Sequence, residues 1–197
     1  MIKVIIFDLD GMVYLTTEMF SERYSREFNL DPEIMVPFFK NQLVACQKGE
    51  MDLKEELEKV LQTWKWAGTV EELLEYWFVD GKVNAQMLLL ISELKKKGVL
   101  CGLCTNNEKY RLQHLKEKYG LEKIFDFIVS SYEIGHLKPE REIFDRVLTL
   151  TKLKAEEVMV CDDKEKHVKV LSIWGFIPYI YKNQKKFEQK LEELKIL

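Results

Sequence analysis

Two aspartates follow a short apolar run near the start of the chain. The run Lys3-Val-Ile-Ile-Phe7 is typical of a buried strand, and Asp8 and Asp10 stand two positions apart directly after it. Side chains two apart on a strand project to the same side, so the two carboxylates are predicted to lie close together. At about 4 Å and an effective dielectric constant near 20, their repulsion amounts to about 4 kcal/mol. A cation is therefore expected nearby; the alternative is that one carboxylate caps the next loop and the other is solvated.

Polar groups also stand at or near the ends of three further apolar runs. Thr105 and Asn106 supply a hydroxyl and backbone amides just ahead of a helix, which suits an anionic oxygen. Lys138 precedes a proline that starts a helix, a position that alone indicates only a surface lysine. Asp162 and Asp163 follow the fourth run. If the runs are neighbouring parallel strands, all these groups converge with the first pair of aspartates.

The converging groups carry an excess of negative charge. Four aspartates face a single lysine, and a hard divalent cation with a preference for oxygen ligands would balance them. Mg²⁺ bound by few carboxylates together with phosphate oxygens is the usual case in proteins. The sequence therefore predicts Mg²⁺ as the cofactor.

Five apolar runs must position these residues. They alternate with segments of helical periodicity, which is typical of a parallel sheet covered by helices on both faces. We therefore predict an α/β fold with a Rossmann-like parallel sheet core and right-handed crossovers. The runs are Lys3–Asp8, Val99–Thr105, Phe127–Ser131, Val158–Cys161 and Ile177–Tyr181.

The interval between the first two runs is unusually long. It spans about ninety residues, whereas a crossover needs a few tens at most. Within it, Asp52 can cap a helix, and Thr69-Val-Glu-Glu72 spells a capping box ahead of a second one. Asp80-Gly81 is expected to end that helix and to form a hinge.

These signals predict an inserted, all-helical cap. We assign residues 15–81 to the cap and residues 1–14 and 82–197 to the Rossmann-like catalytic core. The cap is expected over the open end of the sheet, where parallel α/β sheets bind their ligands.

Composition excludes several classes of protein. The chain has 197 residues, 47% apolar content and a net charge of −3, which fits a globular protein and disfavours disorder, collagen and coiled coils. No basic stripe favours a nucleic-acid partner. The longest apolar run, Met87–Ile91, is too short to cross a membrane, and the first residues show no signal core. A cytoplasmic protein without a membrane partner is expected.

The four cysteines are predicted to be core residues. Cys101 and Cys104 match the C-x-x-C spacing of metal and redox sites, but they lie in an apolar run that indicates a buried strand. Residues three apart on a strand point to opposite faces, so the pair cannot share a ligand.

The four polar motifs, in this order, resemble those of the haloacid dehalogenase superfamily. They are Asp8-Leu-Asp10-Gly11, Thr105-Asn106, Lys138-Pro139 and Asp162-Asp163. Three other segments resemble its helical-capped, phosphatase-like branch: Lys48-Gly-Glu-Met51, Gly135-His-Leu-Lys-Pro139 and Gly175-Phe176.

The resemblance implies Mg²⁺-dependent hydrolysis of a small phosphorylated metabolite, such as a sugar phosphate or a nucleotide. Asp8 would attack phosphorus and form an aspartyl-phosphate. Asp10 would protonate the leaving oxygen and later activate the water that breaks the intermediate. The resemblance leaves open whether the chain is a monomer or a homodimer.

It also implies the remaining roles at the site. Mg²⁺ would be held by Asp8, the main-chain carbonyl of Asp10 and Asp163, with Asp162 as a further ligand or a partner of the ligands. The transferring phosphoryl oxygens would be bound by Gly11, Thr105, the Asn106 amide and Lys138.

Three alternatives remain. A phosphomutase would share every motif and differ in needing a bisphosphate activator. Asp10 disfavours a dehalogenase, because a halide leaving group needs no acid. A non-catalytic phospho-accepting signalling module would use a similar cluster but lacks the D-x-D-G nucleophile motif and the long interval after it.

Six other positions depart from the family pattern or bear on the surroundings of the site. Met12 follows Asp-Gly where threonine or a small aliphatic residue is common, and His167 stands where relatives often carry asparagine. His136 and His114 are expected to be exposed. Tyr14 and Glu18 leave the first strand toward the cap and are expected to line the cleft.

Overall fold

A parallel five-stranded sheet forms the centre of the fold in the computed structural model, which describes all 197 residues. Its strands are β1 (Val4–Phe7), β4 (Leu100–Thr105), β5 (Phe127–Ser130), β6 (Val158–Asp162) and β7 (Ile177–Ile180). They lie in the order β5-β4-β1-β6-β7, and each neighbouring pair is parallel. Each predicted apolar run coincides with one of these strands to within a few residues, which confirms the α/β fold. Two further short strands, β2 (Tyr14–Leu15) and β3 (Lys82–Val83), lie outside this sheet.

Both faces of the sheet are buried, as continuous apolar runs predict. Alternate residues of β1 enter different clusters: Ile5 and Phe7 pack on one face, and Val4 and Ile6 on the other. The cysteines of β4 divide in the same way, and all four cysteines of the chain are free and buried. They are core residues, as predicted.

Helices cover the two faces. Residues of α6, α7 and α12 fill the cluster on one face, and residues of α10 and α11 fill the cluster on the other. The helices are α1 (Phe20–Phe28), α2 (Val36–Lys40), α3 (Gln42–Gln47), α4 (Leu53–Glu58), α5 (Val70–Phe78), α6 (Ala85–Lys96), α7 (Lys109–Tyr119), α8 (Leu121–Ile124), α9 (Ser131–Ile134), α10 (Arg141–Thr151), α11 (Glu165–Val168) and α12 (Gln184–Glu193). None is long and apolar enough to cross a membrane.

The segment between β2 and β3 is helical and has its own core. Helices α1 to α5 pack around Trp64, which is fully buried. The capping box of Thr69 and Glu72 forms at the start of α5, and Asp52 accepts a hydrogen bond from the Lys54 amide at the start of α4. Helix α4 ends at Glu58, earlier than the apolar spacing up to Trp64 predicts, and turns follow it.

A short strand pair joins this segment to the sheet. The antiparallel pairing of β2 with β3 was not predicted, because two-residue strands leave too little alternation to read. Gly81 adopts a φ of +105°, and a Cβ there would lie 2.6 Å from the Tyr14 ring. Glycine is therefore required at the predicted hinge.

Candidate active site

A buried lysine lies between two aspartates at the carboxyl end of the sheet. Lys138 Nζ donates to Asp8 Oδ1 at 2.7 Å and to Asp162 Oδ2 at 2.6 Å. Asp8 directly follows β1 and Asp162 ends the adjacent β6, so the topology places the two carboxylates side by side. The carboxylates hold the pKa of Lys138 above its usual range despite its burial.

The two aspartates differ in how well their charges are compensated. Burial raises the pKa of Asp8 to about 6, and Lys138 only partly opposes this. Burial also acts on Asp162, but hydrogen bonds from His167 and Lys138 hold its pKa well below its usual range. Of these two carboxylates, Asp8 is therefore the one whose charged form a further cation would stabilise more.

His167 supplies part of this compensation. Its Nδ1 lies 3.0 Å from Asp162 Oδ2 and 3.1 Å from Oδ1, and the ring is buried. The Lys164 amide donates to Asp162 Oδ1 at 2.8 Å. Both oxygens of Asp162 are thus engaged by donors of the chain itself.

Replacing His167 with leucine is expected to destabilise the protein by about 1.5 to 3 kcal/mol, the typical contribution of a hydrogen bond to a charged group. Asparagine can donate to the same carboxylate, so His167→Asn should retain most of the stability. Urea unfolding of both variants checks this. Equal midpoints for His167→Leu and the unaltered protein would show that the contact contributes nothing.

Asp163 lies against the loop that carries Asp10 and Gly11. Its Oδ1 is buried without a hydrogen-bond partner, and burial raises its pKa. Gly11 has a φ of +82°, and a Cβ at this position would lie 2.4 Å from Asp163 Oδ2. Side-chain oxygens of Asp8, Asp162 and Asp163 lie within 4.8 Å of one another. An unpartnered buried oxygen in a cluster of carboxylates fits a hard divalent cation.

The turn after β4 holds the lysine loop. The side chain of Asn106 accepts from the Lys138 amide at 2.8 Å and donates to the Lys138 carbonyl at 3.1 Å. The Asn106 side chain therefore fixes the loop from which Lys138 reaches Asp8. Thr105 is buried, and its hydroxyl oxygen accepts from Asn107 Nδ2 at 2.7 Å, which leaves the hydroxyl hydrogen free to donate.

Two residues that sequence reasoning missed hold Asp10. Arg111 donates to both oxygens of Asp10, at 2.9 Å and 2.5 Å, and Asn107 Nδ2 donates to Oδ2 at 2.9 Å. Burial disfavours the charged carboxylate, yet Arg111 and Asn107 together hold the pKa of Asp10 below its usual range. No local pattern marks these contacts, because Asn107 and Arg111 lie 97 and 101 positions from Asp10 along the chain.

Contacts at the carboxyl end of the sheet join the eight predicted site residues in three groups. Contacts of Lys138 join Asp8, Asp162 and Asn106, the Asn107 amide joins Thr105 to Asp10, and Gly11 packs on Asp163.

The surroundings of the site depart from expectation at Tyr14 and at His114. Tyr14 is buried, and its hydroxyl donates to the Asp80 carbonyl at 2.6 Å. It therefore connects β2 to the residues just before β3 rather than lining a cleft. Glu18 pairs with Arg26. His114 is partly buried, and its ring lies 5.7 Å from that of Phe78, because α7 faces the helical segment here. His136 is partly exposed, as expected, and its Nδ1 lies 2.7 Å from Glu140 Oε2.

The helical segment contacts the core beside the site. Gln47 Nε2 donates to the Asn106 carbonyl at 3.1 Å, and Lys48 pairs with Glu140 at 2.8 Å. A pocket of about 430 Å³ with several carboxylates in its wall lies between α4 and the start of α7. None of the eight predicted site residues lines this pocket.

Comparison with known proteins decides the family. Residues 2–172 match the family model of haloacid dehalogenase-like hydrolases. The chain belongs to this family. The predicted resemblance to this family, which is one of hydrolases, is thereby confirmed.

Two relatives of this haloacid dehalogenase-like hydrolase are named for different activities. Bifunctional epoxide hydrolase 2 of Rattus norvegicus is 24% identical over 98% of this chain, and the match spans only 39% of the rat protein's length. Pyrophosphatase PpaX of Bacillus mycoides (strain KBAB4) is 25% identical over 82% of this chain and 75% of its own length.

Solved structures share the fold. A haloacid dehalogenase family enzyme of Bacteroides thetaiotaomicron superposes with a TM-score of 0.84 at 19% identity, covering 96% of this chain and 98% of that one. The same Bacteroides enzyme was crystallised with magnesium and inorganic phosphate, and that complex superposes with a TM-score of 0.79 at 20% identity, covering 92% and 95%.

Proposed function

We propose that this hydrolase is a Mg²⁺-dependent phosphatase that cleaves small phosphomonoesters through an aspartyl-phosphate on Asp8. One observation carries the proposal: the buried Asp8 carboxylate is paired with Lys138 at 2.7 Å and lies beside Asp163, whose Oδ1 has no partner. A nucleophile that lies beside a fixed ammonium group and an unpaired carboxylate oxygen, which can bind a metal ion, is suited to attack an anionic phosphoryl group.

Asp8 and Asp163, with the main-chain carbonyl of Asp10, would hold Mg²⁺. Asp162 would position Lys138 rather than bind the metal, because both of its oxygens already accept hydrogen bonds. When bound, Mg²⁺ offsets the negative charge of the carboxylates and of the phosphoryl oxygens.

The residues of the chain then perform two displacements. A carboxylate oxygen of Asp8 attacks phosphorus, and the bond from phosphorus to the ester oxygen breaks. Arg111 keeps Asp10 ionised in the free protein, so Asp10 would gain a proton as the anionic substrate binds beside it, and would give that proton to the ester oxygen. Asp10 next takes a proton from water, whose oxygen attacks phosphorus and releases phosphate and free Asp8. Lys138, the Thr105 hydroxyl and backbone amides at Gly11 and Asn106 would bind the phosphoryl oxygens throughout.

A panel of phosphorylated metabolites tests the proposal. The purified protein should release phosphate from one or more sugar phosphates or nucleoside monophosphates when Mg²⁺ is present, and chelation should stop the release. Pyrophosphate belongs in the panel because of the Bacillus relative. Failure to release phosphate from every compound, p-nitrophenyl phosphate included, would refute the phosphatase assignment.

Mg²⁺ should also stabilise the folded protein. At a hundred times its dissociation constant, a ligand that binds only the native state adds about 2.7 kcal/mol, so the melting temperature should rise with Mg²⁺ concentration. Asp163→Asn should lose most of this rise. Asp145→Asn alters an exposed carboxylate outside the cluster and should keep it. An equal rise in all three proteins would place the metal elsewhere.

A further inference from the structure

Arg111 and Asp10 form a forked ion pair across a long stretch of chain. Nη1 lies 2.9 Å from Oδ2 and Nη2 lies 2.5 Å from Oδ1, so the guanidinium contacts both carboxylate oxygens at once. Forked pairs of this kind fix direction as well as distance. Asp10 stands in the loop after β1, and only a residue from another element can fix its orientation in this way.

Arg111 is itself held in place. Its Nη1 donates to Asn107 Oδ1 at 2.5 Å, and its guanidinium lies 5.6 Å from the centre of the Tyr14 ring. Its side chain is only 17% exposed. A guanidinium fixed on three sides and shielded from water differs from a surface ion pair, which contributes little.

Helix α7 explains why this position can serve the site. Glu108 caps the helix by accepting from the amides of Tyr110 and Arg111, so Arg111 lies in the first turn. Long side chains in a helix lean toward its N-terminus, and the N-terminus of α7 adjoins the turn that follows Thr105 at the end of β4. Arg111 can therefore reach back to Asp10 while its backbone stays outside the site.

We propose that Arg111 is a positioning residue that orients the Asp10 carboxylate toward the leaving-group oxygen. This inference rests on the proposed function, in which Asp10 transfers the proton. Asp10 Oδ2 accepts from both Arg111 and Asn107, whereas Oδ1 accepts only from Arg111 and keeps a lone pair that can carry the proton. The fork fixes the direction of Oδ1, and a displacement of about 1 Å can cost about a hundredfold in rate. Without Arg111, the Asp10 side chain, which is 33% exposed, would rotate toward solvent.

Leaving groups of different basicity provide the test. Nitrophenolate departs from p-nitrophenyl phosphate without an acid, whereas the alkoxide of an alkyl phosphate needs a proton. With enzyme in excess and Mg²⁺ present, the first turnover reports the step that releases the leaving group. Arg111→Gln should slow alcohol release from the alkyl phosphate about a hundredfold and nitrophenolate release much less, because only the former depends on Asp10 geometry. Arg111→Lys keeps the charge without the fork and should lie between.

Variants of Asp10 separate failure of the inference from failure of the proposed function. Asp10→Asn should slow alcohol release selectively, and Arg111→Gln should add nothing in that background. If Asp10→Asn slows both leaving groups equally, the acid role in the proposed function falls and the inference falls with it. A second outcome would overturn the inference alone. In it, Asp10→Asn slows alcohol release selectively, but the folded Arg111 variants slow release from both substrates alike or raise only KM. Arg111 would then act on the phosphoryl group rather than on Asp10. Melting curves identify variants that fail to fold, and Arg111→Lys is the more conservative of the pair.

Discussion

Asp8→Asn is expected to lower the rate of phosphate release by roughly 10⁴-fold or more, because loss of a nucleophile removes the covalent route entirely. The proposed reaction begins with attack by this carboxylate, and an amide at the same position is a poor nucleophile. Steady-state assays with p-nitrophenyl phosphate and Mg²⁺ measure the effect.

The fold should survive this change. Lys138 keeps its contact with Asp162, and the variant removes one of the carboxylates that crowd the buried cluster. The melting temperature without Mg²⁺ should therefore stay close to that of the unaltered protein. Asp145→Asn, on the surface of α10, is the matched control and should keep full activity. Appreciable turnover by a folded Asp8→Asn protein would exclude Asp8 as the nucleophile.

Lys138→Met is expected to lower the free energy of unfolding by about 3 to 5 kcal/mol, the usual cost of removing one partner from a buried ion pair. Methionine has a similar length but no charge, so Asp8 and Asp162 would be left as two buried carboxylates without their common partner. Phosphate release should fall as well, because the ammonium that faces the nucleophile is gone. Urea unfolding without metal measures the loss of stability.

A double variant tests the cause of that loss. Asp162→Asn in the Lys138→Met background removes one of the two stranded charges and should recover part of the stability. Lys169→Met serves as the control, since that lysine is exposed and pairs only with Glu165 at 3.3 Å. If Lys138→Met unfolds at the same urea concentration as Lys169→Met, the buried pair contributes no stability.

The sheet was predictable because its signals are local. Apolar runs such as the one before Asp8 are buried on both faces, and parallel strands deliver their last residues to one edge. This rule alone is enough to place the groups at Asp8, Thr105 and Asp162 together. The long interval that follows the first strand was equally visible, because capping residues such as Thr69 have a short-range signature.

The partners of these residues were harder to predict. Arg111 is 101 positions from Asp10, and nothing in either neighbourhood marks the pair. His167 was noticed only as a departure from the family pattern, and its contact with Asp162 depends on how α11 packs beside β6. Such contacts depend on tertiary packing rather than on local periodicity.

The most direct test of the proposed chemistry is to find the phosphoryl group on Asp8. Asp10→Asn should still transfer a phosphoryl group from p-nitrophenyl phosphate, whose leaving group needs no acid, but should hydrolyse the intermediate slowly. After acid quenching, mass spectrometry of peptides should then find one added phosphoryl group on the peptide with Asp8, and none in Asp8→Asn. Active enzyme whose quenched peptides carry no phosphoryl group, or carry it on another residue, would contradict an aspartyl-phosphate on Asp8.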